Sequence, residues 1–198
     1  ELYEEYGEEE VIRSGFRVTT TLDNSMQDTL QQNITNHVSY IQANGGSNAA
    51  GVAIDPKSGN VVALVGSADW NNPDWGKVNL VTSARQPGSS FKPIYYATAL
   101  DNGTITPATI LHDVPTDFGG GYEPQNADRG FRGNVSVRSA ISQSLNIPSV
   151  EVMQKLGIDA AIEGAESLGL TTIDDTTQYG LSLALGSAEV PLIEMTNA

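Results

Sequence analysis

The sequence predicts an α/β fold of the α+β kind, in which an antiparallel sheet packs with helices. Three observations predict it: a β-rich stretch from Phe16 to Leu22, a long amphipathic helix after it, and two short β-branched runs joined by a turn. The remainder of the chain is mainly helical in pattern and shows no internal repeat. This order of elements favours one antiparallel sheet over repeating βαβ units.

The long helix is predicted from about Asp23 to Ala43. Asp23 is a favourable N-cap, and Asn44-Gly45-Gly46 provides a helix end. Four apolar residues recur every four positions and therefore share one face: Met26, Leu30, Ile34 and Val38. We expect this face to pack against the sheet.

The elements after this helix are predicted from turn residues and periodicity. The runs AAGVAID and NVVALVGS flank Pro56-Lys57-Ser58-Gly59, whose composition is typical of a hairpin turn. A second helix is predicted from Ser89 to Asn102-Gly103, and the Gly- and Pro-containing region Thr104 to Asn134 is predicted to be a loop. Helical patterns return in VSVRSAISQS, PSVEVMQKLG and DAAIEGAESLGL.

Composition excludes several function classes. A net charge of −14 with only ten Lys and Arg argues against a nucleic-acid partner and against a basic contact with an anionic membrane. The absence of cysteine excludes disulfides, thiolate metal sites and thiol catalysis. Two isolated histidines, His37 and His112, provide too little for a histidine metal site or a Ser-His triad. We therefore expect no metal and no cofactor.

A candidate nucleophile lies in RQPGSSFKP, where Ser89 precedes Lys92 by three residues. On a helix these residues share a face, so the amine can reach the hydroxyl. A lysine with a lowered pKa can take the serine proton, and a helix N-terminus favours a developing oxyanion. Taken alone, the motif is more often a capping serine with a solvated lysine, and Ser90 in particular is a candidate cap.

A second polar motif is Ser144-Leu145-Asn146, which ends a helical pattern just before Ile147-Pro148. We expect a helix break there to turn both polar side chains away from the helix. In a serine and lysine site, a second hydroxyl can relay a proton, and an amide can bind a substrate amide and the lysine. Taken alone, this motif is more typical of a helix stop followed by a cap.

The two motifs occur about 55 residues apart in the order S-x-x-K and then S-x-N, as in the penicillin-recognising serine enzymes. Five longer stretches extend the likeness in family order over nearly the whole chain: GFRVTTTLDNSMQ, AGVAIDPKSGNVVALVG, RQPGSSFKPIYYATAL, PQNADRGFRGNVSVRSAISQSLNIPSV and LSLALGSAEVPLIEM. The sequence therefore resembles the N-terminal portion of the transpeptidase domain of class A, bifunctional penicillin-binding proteins.

This resemblance implies a role for each motif residue. Ser89 corresponds to the acylated nucleophile and Lys92 to its base. Ser144 corresponds to a proton relay and Asn146 to a substrate-amide contact. The implied substrate is a peptidoglycan stem peptide ending in D-Ala-D-Ala, whose penultimate carbonyl is attacked by the serine. An amine of a neighbouring stem peptide then resolves the acyl-enzyme, and β-lactams trap the same serine.

The family's third motif, K-T-G or K-S-G on an edge strand, does not follow Asn146 in this sequence. Lys155, the one later lysine, lies in a helical pattern, and Lys57-Ser58-Gly59 precedes the nucleophile and is predicted to be a turn. We expect the third motif beyond Ala198 and the fold to be incomplete at its C-terminal end. Because that strand supplies an oxyanion-hole donor in the family, the chain alone is expected to be impaired.

By the same resemblance, residues 1–15 are expected to be a linker from an absent upstream glycosyltransferase domain. Residues 16–198 are expected to be the N-terminal portion of the transpeptidase domain. The expected location is the extracytoplasmic face of the bacterial cell membrane, anchored by a segment outside this chain. Expected partners are peptidoglycan stem peptides, β-lactams and other cell-wall synthesis proteins, with a second chain carrying the missing strands as a further candidate.

Two other functions remain open from the sequence. The first is a hydrolytic relative, such as a D,D-carboxypeptidase or a β-lactamase, which needs a deacylating water. No glutamate can be assigned to that step from the sequence. The second is a non-catalytic β-lactam sensor or scaffold fragment, which would be acylated without turnover or not at all.

Overall fold

The computed structural model describes residues 2–173 and 176–198, and in them eight α-helices accompany three two-stranded antiparallel sheets. The helices are α1 Leu2–Tyr6, α2 Glu8–Ser14, α3 Asn24–Ala43, α4 Lys92–Asp101, α5 Val137–Ser142, α6 Asn146–Leu156, α7 Ile158–Ser167 and α8 Leu192–Asn197. The strands are β1 Gly51–Ile54, β2 Val61–Val65, β3 Ala84–Arg85, β4 Ile110–Asp113, β5 Gly133–Ser136 and β6 Val190–Pro191. Short 3₁₀ helices cover Gly88–Phe91, Thr176–Gln178 and Leu181–Leu185. The predicted mixture of helices and antiparallel sheet is confirmed.

Helix α3 begins and ends where its sequence predicts. The Asp23 carboxylate accepts a hydrogen bond from the Met26 N–H at 2.9 Å, which caps the first turn. Leu30 and Val38 pack with buried Ile34 in a small cluster that includes Val65 of β2. Met26 is 52% exposed, so the predicted apolar face covers the hairpin only from Leu30 onward.

The predicted hairpin is the antiparallel pair of β1 and β2, with Gly51 opposite Val65 and a bulge between Ala53 and Ile54. The Asp55 carboxylate closes the turn by accepting hydrogen bonds from the N–H groups of Lys57 and Ser58 and from the Ser58 hydroxyl. The Lys57-Ser58-Gly59 run is therefore an exposed turn, as predicted.

The prediction of a β-rich stretch from Phe16 to Leu22 is wrong, because these residues form no strand. The stretch runs exposed beside β2, where the Thr21 hydroxyl donates to the Val61 carbonyl at 2.6 Å. The next positions along that edge are occupied by α3. The Gln27 amide accepts from the Leu64 N–H at 2.8 Å and donates to the Leu64 carbonyl at 3.0 Å. A helix side chain thus takes the place of a neighbouring strand.

The two edges of the hairpin differ as a result. In an antiparallel hairpin, residues that lie opposite each other without sharing hydrogen bonds point their N–H and C=O groups away from each other. The groups of one residue therefore face one edge of the sheet, and those of its partner face the opposite edge. Leu64 faces Gln27 and lies opposite Val52, so the N–H and C=O of Val52 face the outer edge of β1. Within residues 2–173 and 176–198, no hydrogen bond reaches these two groups of Val52, although α8 packs near this strand.

Replacing Gln27 with alanine is expected to lower the free energy of unfolding by about 1–3 kcal/mol, because two half-buried backbone groups of Leu64 lose their partner. Urea unfolding followed by circular dichroism measures this change. Gln32→Ala is the matched control, since Gln32 is exposed on the same helix and the substitution changes helix propensity equally. Equal destabilisation by both substitutions would contradict the role assigned to Gln27.

The prediction of a loop from Thr104 to Asn134 is wrong at both ends of this region. Strand β4 pairs with β5 from Ile110 opposite Ser136 to Asp113 opposite Gly133. Along β4 the buried and exposed side chains alternate, with Leu111 and Asp113 buried. Strands of four residues whose partner lies about twenty residues away leave little periodicity in the sequence.

The main core lies among the helices of the C-terminal half. Phe91, Tyr95 and Tyr96 are almost fully buried and pack with residues of α6, α7 and the 3₁₀ helix Leu181–Leu185. The Tyr95 hydroxyl lies 3.3 Å from the Ser149 carbonyl and 3.2 Å from that of Ala184. This packing holds α4 rigidly against α6, the two helices that carry the candidate site. None of the helices described has both the length and the apolarity to cross a membrane.

Candidate active site

Ser89 lies on a short 3₁₀ helix, and α4 begins only at Lys92, three residues later than predicted. Two prolines frame this turn, because Pro87 precedes it and Pro93 is tolerated in the first turn of α4. Gly186 ends the 3₁₀ helix Leu181–Leu185 at φ +72°, and a Cβ there would collide with the backbone of Gly88. Close backbone contact thus supports the turn that presents Ser89.

The two adjacent serines open onto different clefts. The Ser90 hydroxyl donates to the Pro87 carbonyl at 2.7 Å and lines a cleft beside Arg85 and Val190. Ser89 lines a cleft of about 270 Å³ together with Ser144 and Asn146. The structure therefore brings Ser89 together with both polar residues of the second motif, and it gives Ser90 the local bond expected of a turn residue.

Lys92 is only 2% exposed, and its ammonium lies against four oxygen atoms at the start of α6. The acceptors are the Ser144 carbonyl at 2.7 Å, the Asn146 Oδ1 at 2.8 Å, the Ser144 Oγ at 3.2 Å and the Leu145 carbonyl at 3.3 Å. Among the described residues, no hydrogen bond joins Lys92 to Ser89. The hydrogen bonds of Lys92 are thus made to the second motif, whose residues line the same cleft as Ser89.

Burial lowers the pKa of Lys92 to about 8, because the charged form loses hydration. No carboxylate in the described part of the chain forms an ion pair with this amine to oppose that effect. The Ser144 carbonyl and the Asn146 Oδ1 can only accept, so each takes an N–H of the amine. In the neutral amine, the lone pair can then accept the proton of the Ser144 hydroxyl.

The helix break at the second motif lies earlier than the sequence predicts. We expected it at Ile147-Pro148, whereas α5 ends at Ser142 and α6 already begins at Asn146. Pro148 is in the first turn of α6, where a missing N–H costs nothing. The chain turns instead at Ser144, whose φ of +52° is uncommon for a residue with a side chain. This turn directs the Ser144 carbonyl and hydroxyl to Lys92.

A loop within the region predicted as Thr104 to Asn134 completes the cleft, a role that the sequence did not indicate. Asn126 accepts a hydrogen bond from the Asn146 N–H at 2.8 Å, and the Gln125 carbonyl accepts one from the Asn146 Nδ2 at 2.8 Å. Asp128 and Arg132 form an ion pair of 2.6 Å at the mouth. The Arg132 hydrogen bond lowers the pKa of Asp128 to about 2. The sequence predicted only that this region is a loop.

Comparison with known protein families identifies the family of this chain. A family model described as the penicillin-binding protein transpeptidase domain matches residues 49–187. The chain belongs to the penicillin-binding transpeptidase family. This confirms the resemblance noted in the sequence, and the match includes Ser89, Lys92, Ser144 and Asn146.

Individual relatives agree with this family. The chain is 36% identical over 184 residues to penicillin-binding protein 1C of Escherichia coli (strain K12), covering 92% of the chain and 24% of that protein. The solved penicillin-binding protein 1A from Haemophilus influenzae matches with TM-score 0.64 and 31% identity over 74% of this chain and 22% of that one. The PonA1 protein from Mycobacterium tuberculosis in complex with penicillin V shares the fold, with TM-score 0.74 and 22% identity over 98% of this chain and 53% of that one.

The transpeptidase-family chain therefore spans about a quarter of the length of the first of these relatives.

Proposed function

We propose that this chain forms part of a D,D-transpeptidase that cross-links peptidoglycan through an acyl-serine intermediate. The observation that supports this most is the shared cleft of Ser89, Ser144 and Asn146, with the buried amine of Lys92 directly behind Ser144. A nucleophile, a relay, an amide and a base are thus present in one place. Family membership supports the reaction class.

In the first step, Ser89 Oγ attacks the carbonyl carbon of the penultimate D-Ala of a stem peptide. The new C–O bond replaces the C–N bond to the terminal D-Ala, which leaves as the free amino acid. The serine proton passes by way of Ser144 to neutral Lys92 and from there to the departing nitrogen. In the second step, an amine of another stem peptide attacks the ester, and Ser89 recovers a proton from that amine.

A relay role for Ser144 is supported by its position, because its hydroxyl is 3.2 Å from the Lys92 amine and the residue lines the same cleft as Ser89. A serine hydroxyl can accept one proton while donating another. This arrangement explains how a lysine without a hydrogen bond to Ser89 can still act as its base. We assign the direct proton exchange of Ser89 to Ser144.

The hydrogen bonds of Asn146 support a role in holding the substrate backbone. Its Oδ1 accepts from Lys92 and one Nδ2 hydrogen is donated to the Gln125 carbonyl, which leaves the second Nδ2 hydrogen for a ligand. A peptide carbonyl in the cleft is a suitable acceptor. The same donor suits the amide carbonyl of a β-lactam, and the penicillin V complex of a protein with this fold supports binding of such compounds.

The wider setting is part of this proposal. Residues 1–15 connect an upstream glycosyltransferase domain to the transpeptidase domain, which works at the extracytoplasmic face of the membrane alongside other cell-wall synthesis proteins. The outer edge of β1 at Val52, which has no hydrogen-bond partner among the described residues, is the position at which strands carrying a K-T-G motif complete the sheet, whether from the same polypeptide or from a second chain.

Product analysis tests the proposed reaction. The protein is incubated with a stem pentapeptide ending in D-Ala-D-Ala and with an amine acceptor, and the products are identified by mass spectrometry. We expect release of D-Ala together with a cross-linked peptide. Release of D-Ala with only a shortened acid would identify a carboxypeptidase. A stable penicillin adduct without peptide turnover would identify a sensor.

A further inference from the structure

We propose that Asn126 is a positioning residue for the site, which fixes the orientation of the Asn146 amide and thereby the hydrogen bonding of Lys92. This inference rests on the proposed roles of Lys92 and Asn146. Asn126 itself reaches neither Lys92 nor Ser89 by a hydrogen bond in the described residues. It acts through a short series of hydrogen bonds that begins in the core.

Asn126 is 4% exposed, and its amide is fully engaged on both sides. The Nδ2 group donates to Asp113 Oδ1 at 2.7 Å and to the Gly130 carbonyl at 2.8 Å. The Oδ1 atom accepts from the Asn146 N–H at 2.8 Å. Three bonds from one buried side chain therefore join strand β4, the loop that lines the cleft, and the first residue of α6.

Asp113 anchors this arrangement from β4. It is fully buried, and its second carboxylate oxygen accepts from the Arg132 N–H at 2.9 Å. One carboxylate thus holds both ends of the loop from Asn126 to Arg132. Breaking a hydrogen bond to a buried carboxylate costs more than breaking an exposed one, so the loop is held firmly.

The loop contacts Asn146 at two points. The N–H of a first helical residue has no acceptor within its own helix, and Asn126 supplies one. The neighbouring Gln125 carbonyl accepts from the Asn146 side chain. A carbonyl can only accept, so this contact requires the Nδ2 group there and turns Oδ1 to the other side.

The orientation of Asn146 matters because Lys92 can only donate when charged. With Oδ1 toward the amine at 2.8 Å, Lys92 keeps an acceptor and its remaining bonding position faces the Ser144 hydroxyl. A rotated amide would present N–H groups to an ammonium, which is unfavourable. The position of Asn126 therefore determines whether the base is directed at its relay.

The first experiment compares Asn126→Ala with Asn134→Ala, which alters an exposed asparagine on neighbouring β5. The rate of penicillin acylation is expected to fall about tenfold to a hundredfold in the first variant, because small displacements of catalytic groups have effects of that size. It is expected to stay at the unsubstituted rate in the second. An unchanged rate in Asn126→Ala overturns the proposal.

A second readout does not depend on acylation. The chain has four lysines, and carbon-13 NMR of the lysine Cε positions follows each titration, with Lys92 assigned from the signal missing in Lys92→Met. The Lys92 midpoint is expected to fall in Asn126→Ala, because its charged form loses the Asn146 acceptor. A midpoint that stays or rises overturns the proposal. If the unsubstituted chain is not acylated, the proposed function fails, and this titration still judges Asn126.

A third comparison exchanges the carboxylate and the amide, and it separates a positioning role from a general loss of stability. Asn126→Asp places two carboxylates together in a buried position and is expected to lower both the acylation rate and the thermal midpoint. Adding Asp113→Asn restores one amide and one carboxylate, so a hydrogen bond between these two positions again anchors the acceptor of the Asn146 N–H, while the Gly130 carbonyl stays without the donor that Asn126 supplied. The double variant is expected to be acylated at least tenfold faster than Asn126→Asp alone. Recovery of thermal stability without any recovery of rate overturns the positioning role.

Discussion

Replacing Ser89 with alanine is expected to abolish covalent labelling by penicillin, because its hydroxyl is the proposed nucleophile of the acyl-enzyme. Ser89 lines the cleft that contains Ser144 and Asn146, and its hydroxyl has no hydrogen bond within the described residues that its loss would break. The substitution should therefore leave folding intact. Intact-protein mass spectrometry, with and without a penicillin, measures the mass added per chain.

Ser90→Ala is the matched control for this prediction. Ser90 is adjacent and equally small, but its hydroxyl bonds to the Pro87 carbonyl and faces another cleft. We expect labelling of this variant to match that of the unsubstituted chain, with a small loss of stability. Labelling that persists in Ser89→Ala and disappears in Ser90→Ala would move the nucleophile to Ser90 and refute the proposed site.

Replacing Lys92 with methionine is expected to slow penicillin acylation about 10²- to 10⁴-fold, the range for loss of a general base. Methionine fills much of the same buried volume and carries no proton acceptor of comparable basicity. In the unsubstituted chain, acylation should accelerate as the pH rises through about 8, because only the neutral amine is a base. Stopped-flow measurements from pH 6 to 9.5 should show this rise, and the variant should lose it.

Lys155→Met is the control, since Lys155 is half-exposed on α6 and pairs with Glu151. It should keep both the rate and the pH dependence.

The pH dependence of the free energy of unfolding is a second test of the buried Lys92 amine. Its pKa in the folded chain is about 8 against an ordinary value of about 10.4, so between these values the unfolded state binds more protons. Stability should therefore increase with pH across that interval, and the increase should vanish in Lys92→Met. A rate that is flat from pH 7 to 9 in the unsubstituted chain would contradict Lys92 as the base.

Elements with long local patterns could be predicted from the sequence. Helix α3 repeats an apolar residue every four positions behind a capping aspartate, and the hairpin has two β-branched runs around a turn. The predictions that were wrong concern segments whose structure depends on residues elsewhere in the chain. The Phe16 to Leu22 stretch has the composition of a strand, but Gln27 and its helix occupy the edge it needed. Strand β4 was missed because its partner β5 lies far along the chain.

In the candidate site, too, local motifs could be predicted from the sequence and contacts between distant segments could not. Spacing was enough to select Ser89, Ser144 and Asn146, which line one cleft, since each motif is a few residues long. It could not show that Lys92 bonds to the second motif in place of Ser89, because that depends on how α4 packs against α6. The sequence could not indicate Asn126 for a similar reason, because its partners, Asp113 and Asn146, lie 13 and 20 residues away.

Because the two edges of the hairpin differ, a strand can be added to its sheet on one side. Leu64 on the β2 side is already satisfied by Gln27, while the N–H and C=O of Val52 on the β1 side have no hydrogen bond within the part of the chain that the structure describes. A further strand can therefore join only beside β1. If two copies paired there, each would use its one open edge, and assembly through this sheet would stop at a closed pair. Endless cross-β stacking requires two open edges on every copy, and the amide of one glutamine removes the second.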